Sequence, residues 1–175
     1  EQVRTVTDNY TAFAAKTASE LMFSSRVQAL QMAGECTTPQ DILTMNSLQK
    51  DIHNAMLVNP AISRTAIYFP SGEYVLDNLS CYRTEMLDRW SETNYYRSFS
   101  ELKEFVLDGY MIGKVLTLVN PVTGMTDILY VKTLGSYPVS APQPVLMITL
   151  KGSILSSALR DYETAIGAPV SLVMD

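Results

Sequence analysis

A predicted β-hairpin in the middle of the chain constrains the fold more than any other feature. In the segment TAIYFPSGEYVLDN at residues 65–78, alternating strand-like residues lie on both sides of a turn at Phe69-Pro70-Ser71-Gly72. Pro70 sets φ at the first central position of the turn, and Gly72 is expected to adopt the left-handed conformation that closes the loop. The segment therefore predicts two neighbouring antiparallel strands.

Two long helices are predicted before this hairpin. Residues 4–33 contain no Pro or Gly, and apolar residues recur there at helical spacing, which indicates one helix of about 30 residues and about 45 Å. Gly34 ends it. A second helix begins with Thr38 as N-cap and Pro39 at the first helical position, and it stops at Asn59-Pro60. Its predicted apolar face consists of Ile42, Met45, Leu48, Ile52 and Met56.

Three more strands and several helices are predicted after the hairpin. The strand-like runs are Lys114 to Val119, Asp127 to Leu134 and Val145 to Leu150, so that the hairpin and these runs form a five-stranded, largely antiparallel sheet. Short helices are predicted near 84–90 and after Ser100, and a longer one from Ser153 to Ala165, with Gly167 just past its end. Residues 170–173 then begin another strand. The predicted class is α+β, a long N-terminal helix packed on a five-stranded antiparallel sheet with flanking helices.

Charge and hydropathy exclude two kinds of partner for this segment. Thirteen Lys and Arg against eighteen Asp and Glu give a net charge of −5 without any basic run, so we expect no nucleic acid to bind. The longest apolar runs, such as Val145 to Ile148, have about four residues, whereas a membrane-spanning helix needs about twenty. Because the first residue is Glu1 and no signal-peptide pattern follows it, we expect a piece of a longer protein.

No motif predicts catalysis, a metal or a cofactor. His53 is the only histidine and has no ligand-spaced cluster around it. Residues 47–50 and 100–103 fit Ser-x-x-Lys, but the Lys-Thr-Gly strand of penicillin-recognising enzymes is interrupted in residues 132–135, Lys-Thr-Leu-Gly. No nucleophile elbow, phosphate loop or dinucleotide fingerprint occurs. We therefore expect a protein that is not an enzyme.

The two cysteines leave two possibilities open. Cys36 and Cys81 have no metal-ligand spacing, and they can pair only if the fold brings the connection between the first two helices beside the end of the hairpin. Two free, partly buried thiols are the favoured interpretation.

The order of predicted elements resembles that of Cache domains. These are the PAS-like extracellular sensor modules of bacterial histidine kinases, chemoreceptors and membrane-anchored AraC-type regulators. The resemblance is closest to the double-Cache arrangement, and it implies that residues 60–151 are the membrane-distal lobe. It further implies that residues 1–59 are a helical stalk and second helix, continuing from a transmembrane segment, and that residues 152–175 are a connecting helix and the first strand of a second lobe. The domain would then lie on the extracellular side of a bacterial cell membrane.

The resemblance also implies a ligand pocket between the sheet and the helix-loop region that crosses it. Amino-acid-binding members have spaced Tyr, Arg, Trp and Tyr residues there; in this chain Arg89 and Trp90 are adjacent, whereas the family pattern has a residue between them. Arg binds a carboxylate bidentately, and Tyr and Trp supply apolar area with a polar tip. The candidate ligand-binding residues are Tyr82, Arg83, Arg89, Trp90, Tyr95, Tyr96, Tyr130 and Lys132.

Each candidate has a structural alternative. Trp90 and one tyrosine would cap the core while the arginines are solvated. Lys132 shares a strand face with Ile128, Tyr130 and Leu134, and the favoured alternative for it is an edge-strand lysine that prevents aggregation.

Two functions follow from these expectations. The first is a ligand-sensing domain of a membrane-tethered signalling protein that binds a small molecule, such as an amino acid or a carboxylate. It would relay the signal through the N-terminal helix, which is also the expected site of a homodimer contact. The alternative is a protein-interaction or dimerisation module without a small ligand, whose signature would be an exposed apolar patch.

Overall fold

An antiparallel sheet with helices packed on one face forms the framework of this protein. The computed structural model describes residues 2–84, 114–119, 124, 126–134 and 143–168. The helices are α1 Gln2–Met22, α2 Ser25–Ala33, α3 Pro39–Val58 and α4 Gly152–Ile166. The strands are β1 Ile62–Phe69, β2 Tyr74–Asp77, β3 Cys81–Arg83, β4 Lys114–Val119, β5 Thr126–Thr133 and β6 Val145–Leu150.

The strand order in the sheet is β3-β2-β1-β6-β5-β4, and every neighbouring pair is antiparallel. The predicted hairpin is confirmed, with Ala66 opposite Asp77 and Phe69 opposite Tyr74. The α+β class and the five predicted strands are also confirmed, and the short strand β3 extends the sheet beyond β2. Three residues are too few to show the alternation by which a strand is recognised in a sequence.

The hairpin turn forms at the predicted residues but uses its glycine differently. The Gly72 N–H donates to the Phe69 carbonyl at 3.3 Å, which closes the turn. The left-handed residue is Glu73, with φ of 50°, so the predicted role of Gly72 is wrong. Glycine is needed at 72 because a Cβ there would lie 2.3 Å from the Gly34 carbonyl oxygen. Close approach of two loops, and not backbone handedness, requires this residue.

The single N-terminal helix predicted for residues 4–33 is wrong, because the chain breaks between α1 and α2. Ser24 is extended, with φ of −67° and ψ of 121°. Leu21 and Leu30 are both buried, yet nine residues of a straight helix would turn them about 180° apart. The break allows both to reach the core: α1 packs on α4, β5 and β6, whereas α2 packs on α3.

Helix α3 has the predicted boundaries and caps. The Thr38 Oγ1 accepts from the Asp41 N–H at 3.2 Å, and the Asp41 carboxylate accepts from the Thr38 N–H at 2.9 Å. Hydrogen bonding of the Asp41 carboxylate to the Thr38 side chain, and then to the Thr38 N–H, lowers the pKa of Asp41. The predicted apolar face is buried only at Leu48 and Ile52, while Ile42 is 51% exposed, so the prediction for Ile42 is wrong. The helix reaches the core through its middle turns.

Helix α4 forms where a helix was predicted and packs on α1 and β5. Its first residue, Gly152, donates its N–H to the buried Asp127 carboxylate at 2.7 Å. Gly167 ends it in the left-handed conformation, as predicted. The helices predicted near 84–90 and after Ser100, and the strand predicted at 170–173, lie outside the described residues. None of the helices in the described ranges has the length and hydropathy to cross a membrane.

Candidate functional site

The two faces of the sheet have different partners. One face, here called the helix-packed face, belongs to a core cluster that includes residues of α1, α2 and α3 together with Ile67, Phe69 and Ile148. The opposite face, here called the second face, carries a separate cluster made of strand residues. Its buried members are Ala66, Tyr68, Val75, Leu129, Val131, Val145 and Met147, with Tyr82 partly buried against them. Within the described residues, no helix contributes a side chain to this second cluster.

A row of side chains with two tyrosines crosses the second face at one end. In register, Tyr82 lies opposite Val75, Val75 opposite Tyr68, and Tyr68 opposite Val145. Desolvation, with a smaller contribution from the charge of Glu73, raises the pKa of Tyr68. Its hydroxyl therefore keeps its proton at neutral pH and remains able to donate a hydrogen bond.

An ion pair lies at the other end of the hairpin strands. Asp77 is opposite Ala66, and Arg64 precedes Ala66 by two residues, so both charged residues belong to the second face. The Arg64 guanidinium contacts the Asp77 carboxylate at 2.5 Å, and the Asp77 side chain is only 3% exposed. The other Asp77 oxygen accepts from the N–H groups of Leu79 and Ser80 at 2.8 and 2.7 Å. The second face therefore has aromatic, apolar and charged groups within three adjacent strands.

The structure divides the predicted site residues that it describes between the two faces. Tyr82 is on the second face. Arg83 pairs with Tyr74 across β3 and β2, which puts it on the helix-packed face, where it is exposed. Tyr130 is buried in the helix-packed cluster, and desolvation raises its pKa. The sheet thus separates Tyr82 from Arg83 and Tyr130.

Lys132 is also on the helix-packed face, half-buried and opposite Leu146. Its strand β5 lies between β4 and β6, so the interpretation of Lys132 as an edge-strand lysine is wrong. The remaining candidates, Arg89, Trp90, Tyr95 and Tyr96, lie outside the described residues. Their ligand-binding role stays a prediction.

Sequence reasoning missed three residues of the second face. Tyr68 has a usable signal, because it alternates with Ile67 and Phe69 in the hairpin and so must point to the face opposite them. Arg64 has no such signal in the sequence, because an irregularity in the strand pairing between Ile62 and Arg64 shifts the alternation of side chains there. Asp77 was included only as one residue of the predicted hairpin segment 65–78.

The two cysteines are free, as the favoured interpretation predicted, although Cys81 is exposed and only Cys36 is partly buried. The Cys36 Sγ lies 3.2 Å from the Tyr74 hydroxyl. Across the described ranges, no group of three or more His, Cys, Asp and Glu residues is arranged to hold a metal ion.

No protein-family model and no curated protein matches this chain. The solved structures that are similar to it at low identity include two of one receptor. One is the ligand-binding domain of the Campylobacter jejuni chemoreceptor Tlp3 in complex with L-valine, with a TM-score of 0.45 and 14% identity over 89% of this chain and 63% of that one. The other is the sensory domain of the same receptor with isoleucine bound, with a TM-score of 0.40 and the same identity and coverage. Both TM-scores are below 0.5, and the chain spans 63% of the length of either structure.

Proposed function

We propose that this chain is a sensor domain that binds a small polar molecule on the second face of its sheet. The observation that supports this most is the difference between the faces: α1, α2 and α3 fill one, while the other presents Tyr68, Tyr82 and the Arg64–Asp77 pair. Ligand sites combine apolar and aromatic walls with a few fixed polar groups, and this face has both kinds of group.

Sequence position supports a site that extends beyond the described residues. Arg89, Trp90, Tyr95 and Tyr96 follow Tyr82 within fourteen residues. We propose that they complete the site, with the arginine binding a carboxylate and the aromatic rings enclosing the apolar part of the ligand. The proposed ligand class is therefore amino acids and other small carboxylates.

The proposed signal route runs through the sheet to the N-terminal helices. Helix α1 packs directly on β5 and β6, which are also the strands that supply Leu129, Val131 and Met147 to the second face. A ligand shifts such a helix only if it binds two arrangements of the domain with different affinities. In the proposed protein, α1 continues toward a membrane anchor, the domain lies outside a bacterial cell, and the output is that of a histidine kinase, chemoreceptor or AraC-type regulator. The support for this context is the Cache-like order of elements.

The test is a thermal-shift screen against amino acids, carboxylates, sugars and small amines, followed by calorimetric titration of each hit. A ligand that binds only the folded state raises the melting temperature. Tyr82→Ala and Trp90→Ala should abolish the shift, while Lys132→Gln, on the helix-packed face, should preserve it. Loss of binding in Lys132→Gln with retention in Tyr82→Ala would indicate a site on the helix-packed face. If no compound of the panel raises the melting temperature, the proposed ligand class is refuted.

A second candidate function is dimerisation or docking of another protein through the helices. The observation that favours it is a set of exposed large apolar side chains on or between α1, α2 and α3. The set consists of Phe23, Met32, Ile42, Leu43, Leu57 and Val58. Light scattering after size exclusion tests it: a dimer that Leu57→Glu dissociates supports this function, whereas a monomer at all concentrations argues against self-association.

A further inference from the structure

The hairpin brings the two cysteines to one corner of the molecule, although 45 positions separate them in the sequence. The Cys36 Sγ contacts the hydroxyl of Tyr74 at 3.2 Å. Tyr74 and Leu76 share one face of β2, and Cys81 lies opposite Leu76 on β3. Cys81 and Tyr74 are therefore diagonal neighbours on the helix-packed face, and both thiols border the same tyrosine.

The position of Cys36 is set by packing between two loops. The connection from α2 to α3 lies against the hairpin turn, with the Gly34 carbonyl so close to Gly72 that no Cβ fits between them. At the same turn, the Ser71 hydroxyl donates to the Gln31 side chain at 3.1 Å. These contacts hold Cys36 beside β2 even though its own connection is neither helix nor strand.

We propose that Cys36 and Cys81 form an intramolecular disulfide in an oxidising environment, which joins the α2–α3 connection to the edge strand β3. A disulfide needs Cα atoms about 4.4–6.8 Å apart. The connection that carries Cys36 is neither helix nor strand, so a bond at this residue breaks no helical turn. The disulfide does not depend on the proposed ligand, and it would form in a domain that binds none.

The reaction is a thiol–disulfide exchange with a small disulfide oxidant such as oxidised glutathione. One cysteine thiolate attacks a sulfur of the oxidant, which releases one glutathione thiolate and leaves a mixed disulfide on the protein. The second cysteine thiolate then attacks the protein sulfur of that mixed disulfide and releases the second glutathione. Two protein thiols are thus oxidised to one disulfide, and the oxidant is reduced to two thiols.

The environment of Cys81 makes this reaction dependent on pH. Desolvation, followed by the charge of Cys36, raises the pKa of Cys81 to about 11; Asp77 adds to this effect and Arg83 opposes it. Because the thiolate is the attacking species, a step that requires Cys81 to attack should become about tenfold faster per pH unit below that pKa.

The experiment incubates the reduced protein with oxidised glutathione at pH 7, 8 and 9 and maps its peptides without reduction. The expected result is a cross-linked peptide pair containing Cys36 and Cys81 in monomeric protein, loss of both free thiols, and faster formation at higher pH. The melting temperature should rise by about 5 °C or more and return after reduction, since the bond closes a long loop. Cys81→Ser, which replaces an exposed residue, and Cys36→Ser should show no oxidation-dependent rise.

Three results would overturn the proposal. Stable glutathione adducts on the separate cysteines would show that the thiols do not meet. Dimers linked through Cys81 would show that the exposed thiol reacts between molecules. An equal rise in melting temperature for the oxidised wild type and Cys81→Ser would show that the stabilisation has another origin. Circular dichroism of each reduced variant verifies that it is folded before the comparison.

Discussion

Removing the Asp77 carboxylate should destabilise this protein far more than removing a similar carboxylate from its surface. The protein contains a matched pair of contacts for this test. Arg64–Asp77 has a separation of 2.5 Å with Asp77 3% exposed, and Arg26–Asp51 has a separation of 2.6 Å with side chains 48% and 38% exposed. The chemistry is the same and the burial differs.

The expected magnitude follows from what each substitution leaves behind. Asp77→Ala removes the carboxylate that Arg64 contacts and the acceptor of the Leu79 and Ser80 N–H groups. Breaking a buried ion pair from one side costs about 3–5 kcal/mol. Because the Arg64 side chain is still 23% exposed and can turn toward water, we expect about 3 kcal/mol, the lower end of that range.

The surface substitution should cost much less. Exposed ion pairs contribute about 0–1 kcal/mol, and Asp51 lies inside α3, where alanine has the higher helix propensity. Asp51→Ala should therefore change the free energy of unfolding by less than about 1 kcal/mol. Urea denaturation followed by circular dichroism measures both variants at one pH and salt concentration.

A double-mutant cycle with Arg64→Ala separates the contribution of the ion pair from that of the Leu79 and Ser80 N–H contacts. If Asp77 acts mainly through Arg64, the two substitutions together should cost clearly less than the sum of the single ones. If the losses of the two single variants add, the contacts of Asp77 with the two N–H groups account for its contribution to stability. Equal losses in Asp77→Ala and Asp51→Ala would refute the argument from burial.

Three further results are expected. Thr65→Val should stabilise the fold by about 1 kcal/mol in urea denaturation, because the fully buried Thr65 hydroxyl has no hydrogen-bond partner among the described residues; a loss of stability would mean that the hydroxyl is satisfied. Gly72→Ala should cost about 1–3 kcal/mol through overlap with the Gly34 carbonyl, against a small effect of Ser71→Ala, and equal effects would contradict the packing of the two loops. Stability should fall as pH rises above the ordinary tyrosine pKa of 10.0, because burial raises the pKa of Tyr74 and the unfolded chain therefore releases that proton first; a Tyr74→Phe variant with the same pH dependence as wild type would refute this cause.

The elements that could be predicted from the sequence are those specified by neighbouring residues. The hairpin turn begins at Phe69 and Pro70, and α3 begins at Thr38 and Pro39, because turn and capping residues act within a few positions of themselves. The hairpin strands were recognisable because strand-like residues alternate on both sides of a turn, and β6 because it is a short, nearly continuous apolar run that is buried along its whole length.

The candidate site was predicted less well, because residue type does not state which face of a sheet a side chain occupies. Tyr82 and Tyr130 are both tyrosines on strands, yet the register puts the first on the second face and the second beneath the helices. Arg64 and Asp77 form a buried pair only because β1 and β2 are adjacent. The two residues are thirteen positions apart, and their residue types do not reveal the pairing.

Local structure could be predicted from the sequence: the position of the hairpin turn, the capping of α3, and every strand except β3. Tertiary packing was needed to reveal the break of the N-terminal helix at Ser24, the need for glycine at 72, and the contact of Cys36 with Tyr74. The physical reason is the range of the interactions. Turn and capping preferences act between neighbours in the chain, whereas close packing acts between segments that meet only after the sheet has formed.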